Sequence, residues 1–307
     1  MTAETMRAIV FDGYGDASVL REARLPCPVP QPGQMLVRVC AIGVNPADGK
    51  WRSGMFARTR PLQFPQVPGY DVAGEVVYSE DAAMPPGTRV AAMLDALVQG
   101  AYAEYAAVAP RSAAPIADTL SFEAAATLPT PGLTGVQLIE EQLDVQPGET
   151  VLLTGATGAV GRFALHAARA RGARVVAAVR AKHVDTAIAL GAAQAIVLGE
   201  QQWTGAPFDH VADTVGGALV ADLCRHVRAG GRIRTVSTTP IPAEGLPCTP
   251  GFFGVHADAD RLARLAQAAG AGALEVAIAA RFPLVQAADA QRLVDAGSAG
   301  GKVVLIP

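Results

Sequence analysis

The sequence predicts an α/β protein in which a doubly wound parallel sheet is joined to a second, β-rich domain. Three observations carry this prediction. An apolar strand runs into three closely spaced glycines and then into a helix between residues 151 and 171, and strands alternate with helices after residue 121. Before residue 115, short β-type runs are interrupted by Pro and Gly. With 307 residues, the chain is long enough to build two domains.

The N-terminal part is predicted to fold as a compact, barrel-like β domain. Its β-forming runs are short and are bounded by Pro and Gly, as expected of strands that are joined by turns. We predict strands at residues 6–11, 35–42, 74–78 and 88–92.

The central part alternates between the two element types, which is what a doubly wound parallel sheet requires. The predicted helices are residues 121–128, 135–141, 161–171, 183–190 and 217–228. The predicted strands are residues 150–154, 174–179, 195–198, 208–213 and 231–236.

The C-terminal part holds one more helical pattern, residues 287–296, and a terminal strand, residues 302–306. We expect this tail to return to the first domain. The predicted domains are therefore a β-rich domain of residues 1–118 and 266–307 and a parallel-sheet domain of residues 119–265.

The turn after the strand 150–154 is predicted to bind a dinucleotide through its backbone. Missing Cβ atoms let the turn tighten and let a pyrophosphate approach the main chain, and the following helix points its free N–H groups at the negative charge. Glycine triplets also occur in plain strand-to-helix turns, but here a second strand completes a β-α-β unit. The predicted cofactor contacts are Gly155, Ala156, Thr157, Gly158, Ala159, Val160 and Gly161.

Arg180 and Lys182 stand at the end of the second strand, where an NAD site usually places an acid that binds the ribose 2′-OH. No carboxylate occurs between Thr150 and Val184. Because a 2′-phosphate is the ligand that suits two cations, we predict NADPH as the cofactor, with Arg180 and Lys182 on its 2′-phosphate. The alternative is that both are solvated loop charges.

Composition excludes several classes of protein. A net charge of −3 without a long basic run gives no reason to expect nucleic acid as a partner. No apolar run reaches the roughly 18 residues of a membrane span, and the N-terminus lacks the pattern of a signal peptide, so a cytoplasmic protein is expected. The four cysteines are scattered without a C-x-x-C pair, which argues against a disulfide framework or a cysteine zinc site.

Further short motifs follow one another in order along the chain. They are Gly43-Val44-Asn45-Pro46-Ala47-Asp48, Pro68-Gly69-Tyr70-Asp71-Val72-Ala73-Gly74, Gly100-Ala101-Tyr102-Ala103-Glu104-Tyr105, Leu128-Pro129, Gly132-Leu133-Thr134, Phe208-Asp209, Asp213-Thr214-Val215-Gly216-Gly217 and Gly301-Lys302-Val303-Val304-Leu305. With the glycine turn, they resemble the zinc-independent medium-chain dehydrogenase/reductases, specifically the quinone oxidoreductase (zeta-crystallin-like) group, over nearly the whole chain. The resemblance implies a central Rossmann domain, a GroES-like catalytic domain built from both chain ends, and a homodimer.

The resemblance also bears on zinc. Zinc-dependent relatives place a Cys where Asn45 aligns and a His–Glu pair where Tyr70-Asp71 stands, and they carry a lobe of four clustered cysteines. Thiolate and imidazole are the ligands that a tetrahedral zinc needs, and this chain has neither at these positions. We therefore predict that no metal is bound.

Several site residues follow from the same resemblance. Asn45 is expected beside the nicotinamide and the substrate, and Thr134 near the cofactor ribose or nicotinamide; Thr214 is expected at the cofactor as well. Asn45 alternatively only caps a turn with Pro46. Tyrosines of many quinone reductases are replaced here by Lys50, Phe56 and Leu198. A Lys50 ammonium would stabilise an enolate oxygen or donate a proton, or would simply be solvated.

These observations predict an NADPH-dependent reductase that transfers a hydride to a quinone or an α,β-unsaturated carbonyl compound without zinc. Such a substrate already carries its activating carbonyl, so the protein has to orient the nicotinamide, exclude water and bind the developing oxyanion. Two alternatives stay open. One is an enoyl-thioester reductase, and the other is an NADPH-binding protein with a sensing or structural role and little catalysis.

Overall fold

The computed structural model describes residues 4–98, 100–200, 203–274, 277–297 and 299–307. Within these residues, the strands in chain order are β1 (Thr5–Val10), β2 (Arg21–Pro26), β3 (Met35–Val44), β4 (Asp71–Tyr78), β5 (Arg89–Met93), β6 (Tyr105–Val108), β7 (Ala113–Pro115), β8 (Thr150–Thr154), β9 (Arg174–Val179), β10 (Gln194–Val197), β11 (Phe208–Asp213), β12 (Val227–Thr235), β13 (Gly251–Phe252), β14 (Ile278–Pro283) and β15 (Lys302–Ile306). The α-helices are α1 (Pro46–Arg52), α2 (Phe122–Ala125), α3 (Pro129–Gln137), α4 (Ala159–Ala170), α5 (Val184–Ala189), α6 (Ala218–Cys224), α7 (Ala259–Gly270) and α8 (Ala287–Asp295).

The chain forms two compact units. Unit 1 consists of Met1–Thr130 and Ala257–Pro307, and unit 2 consists of Pro131–His256. The sequence-based boundaries at 118/119 and 265/266 differ from these positions. The physical reason is packing, because α2 packs against β3 and β4, and α7 packs against β5 and β7, so both helices belong to unit 1.

Unit 2 is built on a six-stranded sheet in the order β10-β9-β8-β11-β12-β13, and all of its strand pairs are parallel. In chain order, β9 and β10 are added on one side of β8, and β11, β12 and β13 are added on its other side. Central strands of such a sheet are covered on both faces and read as continuous apolar runs, and Val151, Leu152 and Leu153 of β8 are fully buried. The predicted Rossmann sheet is confirmed.

Unit 1 carries the β-rich fold. Its main sheet has the order β14-β15-β3-β4-β5-β7, with β6 paired to β3, and β1 pairs separately with β2. The C-terminal strand β15 lies antiparallel to β3, through pairs such as Val304 with Gly43. The tail therefore returns to the first domain as expected, where β14 forms one edge of the sheet and β15 lies between β14 and β3.

One predicted boundary was wrong for an instructive reason. The helix expected to run to residue 228 ends at Cys224, because β12 already begins at Val227. Gly230 and Gly231 interrupt the strand pattern in the sequence, since glycine weakens a strand and often marks a bulge. The register between β11 and β12 shifts there, and the Arg232 N–H donates to the His210 Nδ1 atom at 3.1 Å.

No helix in the described part of the chain is both long and apolar enough to cross a bilayer. The compartment expected from the sequence stays a prediction.

Candidate functional site

The glycine turn of unit 2 follows β8 and is shaped by close backbone packing. Gly155 has a φ of +65°, and a Cβ at this position would lie 2.4 Å from Thr214 Oγ1. A Cβ at Gly161 would lie 2.1 Å from the Gly155 carbonyl oxygen. Gly158 differs, because a Cβ there would meet its nearest neighbour only at 3.3 Å. The outer two glycines are therefore required by the fold, whereas the middle one leaves the main chain open to a ligand.

The middle of the turn faces solvent where a ligand would approach. Gly158 and Ala159 are exposed, Thr157 and Val160 are half-buried, and Ala156 lies in the core. Gly158 is the N-cap of the 12-residue helix α4 and has no side chain that would cap its first N–H groups. Uncapped N–H groups and the helix dipole bind negative charge. The predicted turn residues thus form a cradle that fits a dinucleotide pyrophosphate.

Thr214 follows β11, the strand beside β8, at the carboxyl edge where the strand order reverses. Ligands of doubly wound sheets bind at this point. The Thr214 N–H donates to Thr154 Oγ1 at 3.0 Å, and the Thr214 hydroxyl donates to the Thr154 carbonyl oxygen at 2.9 Å. Thr214 therefore holds the end of β8 in place beside the predicted cofactor turn.

Asp213 organises the same edge of the sheet. Its buried carboxylate accepts the hydroxyls of Thr154 and Thr235, both at 2.5 Å, and the backbone N–H groups of Val215 and Gly216 at 3.0 Å. One side chain thereby links β8, β11 and β12.

Arg180 and Lys182 lie at the carboxyl end of β9, and both are exposed. The Gly155 N–H donates to the Ala178 carbonyl oxygen at 2.9 Å, so the end of β9 lies beside the glycine turn. Two solvent-facing cations next to a pyrophosphate cradle fit the 2′-phosphate of a dinucleotide. Sequence reasoning missed their basic neighbours Arg162 and His183, although Arg162 directly follows the glycine turn and His183 directly follows Lys182.

Asn45, at the end of β3, is at the centre of a buried polar network in unit 1. Its amide nitrogen donates to Asp71 Oδ2 at 2.9 Å and to the Gly43 carbonyl oxygen at 3.3 Å. Its amide oxygen accepts from Lys302 Nζ at 2.7 Å. The side chain is 4 % exposed, so both amide hydrogens already have acceptors inside unit 1.

Asp71 and Lys302 complete this network. Asp71 accepts the N–H of Thr130 at 2.9 Å and its hydroxyl at 2.6 Å, and Lys302 Nζ lies 3.8 Å from Asp71 Oδ2. Burial raises the pKa of Asp71 and lowers the pKa of Lys302, and each partner opposes the shift of the other. No local pattern identified Lys302 as part of a site.

The residues at the positions where zinc-dependent relatives place their ligands, Asn45 and Tyr70-Asp71, do not fit a zinc ion. The Asn45 amide oxygen is bonded to an ammonium group, and that ammonium also lies beside the Asp71 carboxylate. A divalent cation at this place would meet the repulsion of Lys302 and would find neither thiolate nor imidazole.

Asp48 lies in the first turn of α1 and is 1 % exposed. Its Oδ2 atom accepts the Asn45 N–H and the Tyr102 hydroxyl, both at 2.9 Å, while Oδ1 has no hydrogen-bond partner among the described residues. A cavity of about 10 Å³ adjoins Asp48 and is also lined by Trp51 and Tyr70. Burial raises the pKa of Asp48 to about 7, although the bonds from Asn45 and Tyr102 oppose the shift.

Asp48 makes the stability of the protein depend on pH. Its pKa rises from 3.8 in the unfolded chain to about 7 in the fold, so the folded state binds more protons in this interval. We therefore expect this group to lower the free energy of unfolding as the pH rises from about 4 to about 7. Thermal unfolding of the wild type and of Asp48→Asn at several pH values checks this, since the variant has no proton to lose here and should decline less. Equal pH dependence of the two proteins would contradict the assignment.

Lys50 and Thr134, the other two predicted catalytic residues, lie in different units. Lys50 is half-buried on α1, and burial lowers the pKa of its ammonium group. No ion pair joins it to an acid within the described residues. Thr134 is buried on α3 in unit 2. The structure therefore brings together the turn residues and Thr214 in unit 2. In unit 1, Asn45 directly precedes α1 and Lys50 lies within this helix.

Comparisons with known proteins agree with both units. A family model described as an alcohol dehydrogenase GroES-like domain matches residues 31–118, and one described as a zinc-binding dehydrogenase matches residues 172–305. A chloroplastic quinone oxidoreductase of Triphysaria versicolor is 32 % identical over 204 residues, which are 64 % of this chain and 62 % of that protein. The matched part thus spans less than two thirds of the length of that relative.

Solved structures cover the chain more completely. The quinone oxidoreductase of Coxiella burnetii has a TM-score of 0.87 and 29 % identity, over 99 % of each chain. A mycobacterial protein solved in complex with NADPH has a TM-score of 0.83 and 27 % identity, over 98 % of this chain and 100 % of that one. The fold, the two family models and these relatives together show that the chain belongs to the medium-chain dehydrogenase/reductase family, and that it is similar to quinone oxidoreductases of this family.

Proposed function

We propose that the protein is an NADPH-dependent reductase that transfers a hydride to a quinone or an α,β-unsaturated carbonyl compound and uses no zinc. The observation that carries the proposal is the glycine cradle of unit 2 with two exposed cations, Arg180 and Lys182, beside it and no carboxylate between Thr150 and Val184. The matched quinone oxidoreductases and the relative solved with NADPH support it.

NADPH, when bound, would supply the hydride, and residues of the chain would bind and orient this cofactor. The backbone from Gly155 to Gly161 binds the pyrophosphate, Arg180 and Lys182 bind the 2′-phosphate, and Thr134 and Thr214 contact the rest of the cofactor. Asn45 is a positioning residue: it precedes α1, and its two amide hydrogens are bonded to Asp71 and to the Gly43 carbonyl oxygen, so it holds the start of this helix. Lys50, within α1, stabilises the oxygen that becomes anionic after hydride transfer.

We expect Arg180→Glu to lose NADPH affinity by roughly ten- to a hundred-fold, because a charge-assisted hydrogen bond is replaced by repulsion. NADH affinity should change little, since NADH has no 2′-phosphate. Binding titrations of both cofactors measure the effect. Arg174→Glu, at the opposite end of the same strand, is the matched control and should leave both affinities unchanged. An unaltered NADPH preference in Arg180→Glu would refute the assignment of the 2′-phosphate site.

We expect Lys50→Met to lower kcat with quinones and enones by about 10²-fold, the effect of removing one oxyanion donor. The NADPH Kd should stay as in the wild type, because Lys50 lies in unit 1. Steady-state kinetics on a panel of quinones and enones are the test, with the exposed Arg58→Met as the control. Wild-type turnover of Lys50→Met on every substrate would show that Lys50 is a solvated side chain.

The two alternative functions are separated by the same panel. Tight NADPH binding without any oxidation of the cofactor would favour a sensing or structural protein, and turnover confined to acyl thioesters would favour an enoyl-thioester reductase. The homodimer stays a prediction. β13 forms one edge of the sheet of unit 2 and exposes Phe252, so unpaired backbone is available there for a second chain.

A further inference from the structure

Asp48 carries a buried oxygen that the fold leaves without a partner. Its Oδ2 atom accepts the Asn45 N–H and the Tyr102 hydroxyl, both at 2.9 Å. Its Oδ1 atom accepts nothing, and no other buried side-chain nitrogen or oxygen within the described residues is left in this way. An ionised carboxylate would keep an unsolvated charge on Oδ1, which is costly. A neutral carboxyl group with its proton on Oδ1 avoids this cost and becomes a hydrogen-bond donor.

Asp48 also lines a small cavity in unit 1. The cavity has a volume of about 10 Å³, which is about the room that one water molecule needs. The polar side chains at its wall are those of Asp48, Trp51, Gln66 and Tyr70. The Gln66 amide nitrogen already donates to two backbone carbonyl oxygens, at 2.7 and 3.0 Å. A water in this cavity can therefore accept the proton of Asp48 and bond to the Tyr70 hydroxyl.

Tyr70 lies between this cavity and solvent, because it lines the cavity and is only half-buried. Burial raises the pKa of its hydroxyl, the Asp48 carboxylate raises it further, and a hydrogen bond with the Trp51 side chain opposes the rise. Tyr70 and Asp48 therefore act on each other electrostatically. Trp51 directly follows Lys50, so Tyr70 lies beside the helix α1 that carries the predicted oxyanion donor.

We propose that Asp48, one water in this cavity and Tyr70 form a proton path, which supplies the proton that completes the reduction after hydride transfer. The inference rests on the proposed function and names its proton donor. Tyr70 is the residue that contacts the substrate oxygen, and Asp48 acts through it.

The proton path balances the reaction. Hydride transfer leaves one negative charge on the carbonyl oxygen of a quinone or an enone, so one proton has to follow. The substrate oxygen takes the Tyr70 proton as the phenolic O–H bond breaks, the Tyr70 oxygen takes a proton from the water, and the water takes the proton of Asp48. Asp48 ends as the carboxylate, while the water and Tyr70 are restored. One proton from solvent returns along the same path before the next cycle.

The charges around Asp48 suit a group that gains and loses a proton near neutral pH. Burial raises its pKa to about 7, Asp71 of β4 adds to the rise, and Lys302 of β15 opposes it. Arg52, one turn further along α1, is instead paired with Asp295 of α8 at 2.9 Å. The protonated acid is the donor, so the supply of protons fails as the pH rises through about 7.

Steady-state kinetics across neutral pH test the path. We expect the wild-type kcat to fall as the pH rises through about 7. Tyr70→Phe keeps the ring but breaks the path, so it should lower kcat by about 10²-fold, remove this pH dependence and leave the NADPH Kd unchanged. Tyr102→Phe is the matched control, because the Tyr102 hydroxyl bonds Asp48 outside the path. It should keep kcat at acid pH and shift the fall to higher pH, since loss of this bond raises the pKa of Asp48.

Infrared difference spectra give a readout without cofactor or turnover. Between slightly acid and slightly alkaline pH, the wild type should lose the carbonyl stretch of a protonated carboxyl group, and Asp48→Asn should lack this band. Absence of the band in the wild type, or wild-type kcat and pH dependence in Tyr70→Phe, would overturn the proton path. A wild type that shows the band but oxidises NADPH with no quinone or enone would refute the proposed function itself.

Discussion

Replacing Lys302 by Met is expected to destabilise unit 1 by about 3–5 kcal/mol, the cost of removing one partner of a buried ion pair. The Asp71 carboxylate is fully buried, and Lys302 is the cation beside it. The substitution also removes the donor to the Asn45 amide oxygen and to the Val44 carbonyl oxygen. Asp71 would then be an uncompensated buried charge next to the start of α1.

Urea unfolding of the wild type and of Lys302→Met measures this loss. Arg281→Met is the matched control, because Arg281 lies on the adjacent strand β14 and its ion pair with Glu123 is partly exposed to solvent, so it should cost less than about 1 kcal/mol. The double variant Lys302→Met with Asp71→Asn should recover part of the loss, since it removes the unpaired charge. Equal destabilisation by Lys302→Met and Arg281→Met would contradict the network.

Replacing Gly161 by Val is expected to abolish detectable dinucleotide binding and to destabilise unit 2 by more than the roughly 1–3 kcal/mol typical of an overpacked core. A Cβ at Gly161 would lie 2.1 Å from the Gly155 carbonyl oxygen and 2.7 Å from Ala156 Cα. Both neighbours are backbone atoms, so the clash is relieved only if the turn and the start of α4 move apart. The cradle for the pyrophosphate is lost by that movement.

Two further glycines make this test specific. Gly158→Ala should lower the melting temperature far less than Gly161→Val, because the one close neighbour of its Cβ, the Gly155 carbonyl oxygen at 3.3 Å, has to shift only slightly. It should nevertheless weaken NADPH binding if the pyrophosphate approaches the main chain there. Gly254→Ala should change neither quantity, because nothing lies within 4 Å of its Cβ. Thermal unfolding and NADPH titration of all three variants are the measurements. Normal binding by Gly161→Val would refute the role of this turn.

The fold was predictable to the extent that neighbouring residues in the sequence define it. The alternation after residue 121 and the apolar runs of β8 and β9 gave the parallel sheet, since buried parallel strands need continuous apolar sequence. The first part of β12, residues 227–230, was not predictable, because the two glycines of the strand oppose strand formation locally and are accepted only where β11 supplies a partner. The strand β14 was also missed, since its residues alternate between half-buried and exposed without a long apolar run.

The residues of the candidate site likewise differ in whether a local sequence motif could identify them. The glycine turn and the cations after β9 were named from the sequence because each is a short motif on consecutive residues, although their roles stay predictions. The basic neighbours Arg162 and His183 were within reach of the same reasoning. Lys302 was not, because it reads simply as the first residue of a terminal strand.

The sequence by itself determined the two kinds of domain, the order of their elements and the turn that fits a dinucleotide. Only the tertiary structure decided that Lys302 lies against Asn45 and Asp71, through bonds between residues as far as 257 positions apart in the chain. The reason is physical. Backbone conformation and apolar periodicity are set by near neighbours, whereas the partner of a buried charge is chosen by which strands pair, and β15 pairs with β3 only in the folded sheet.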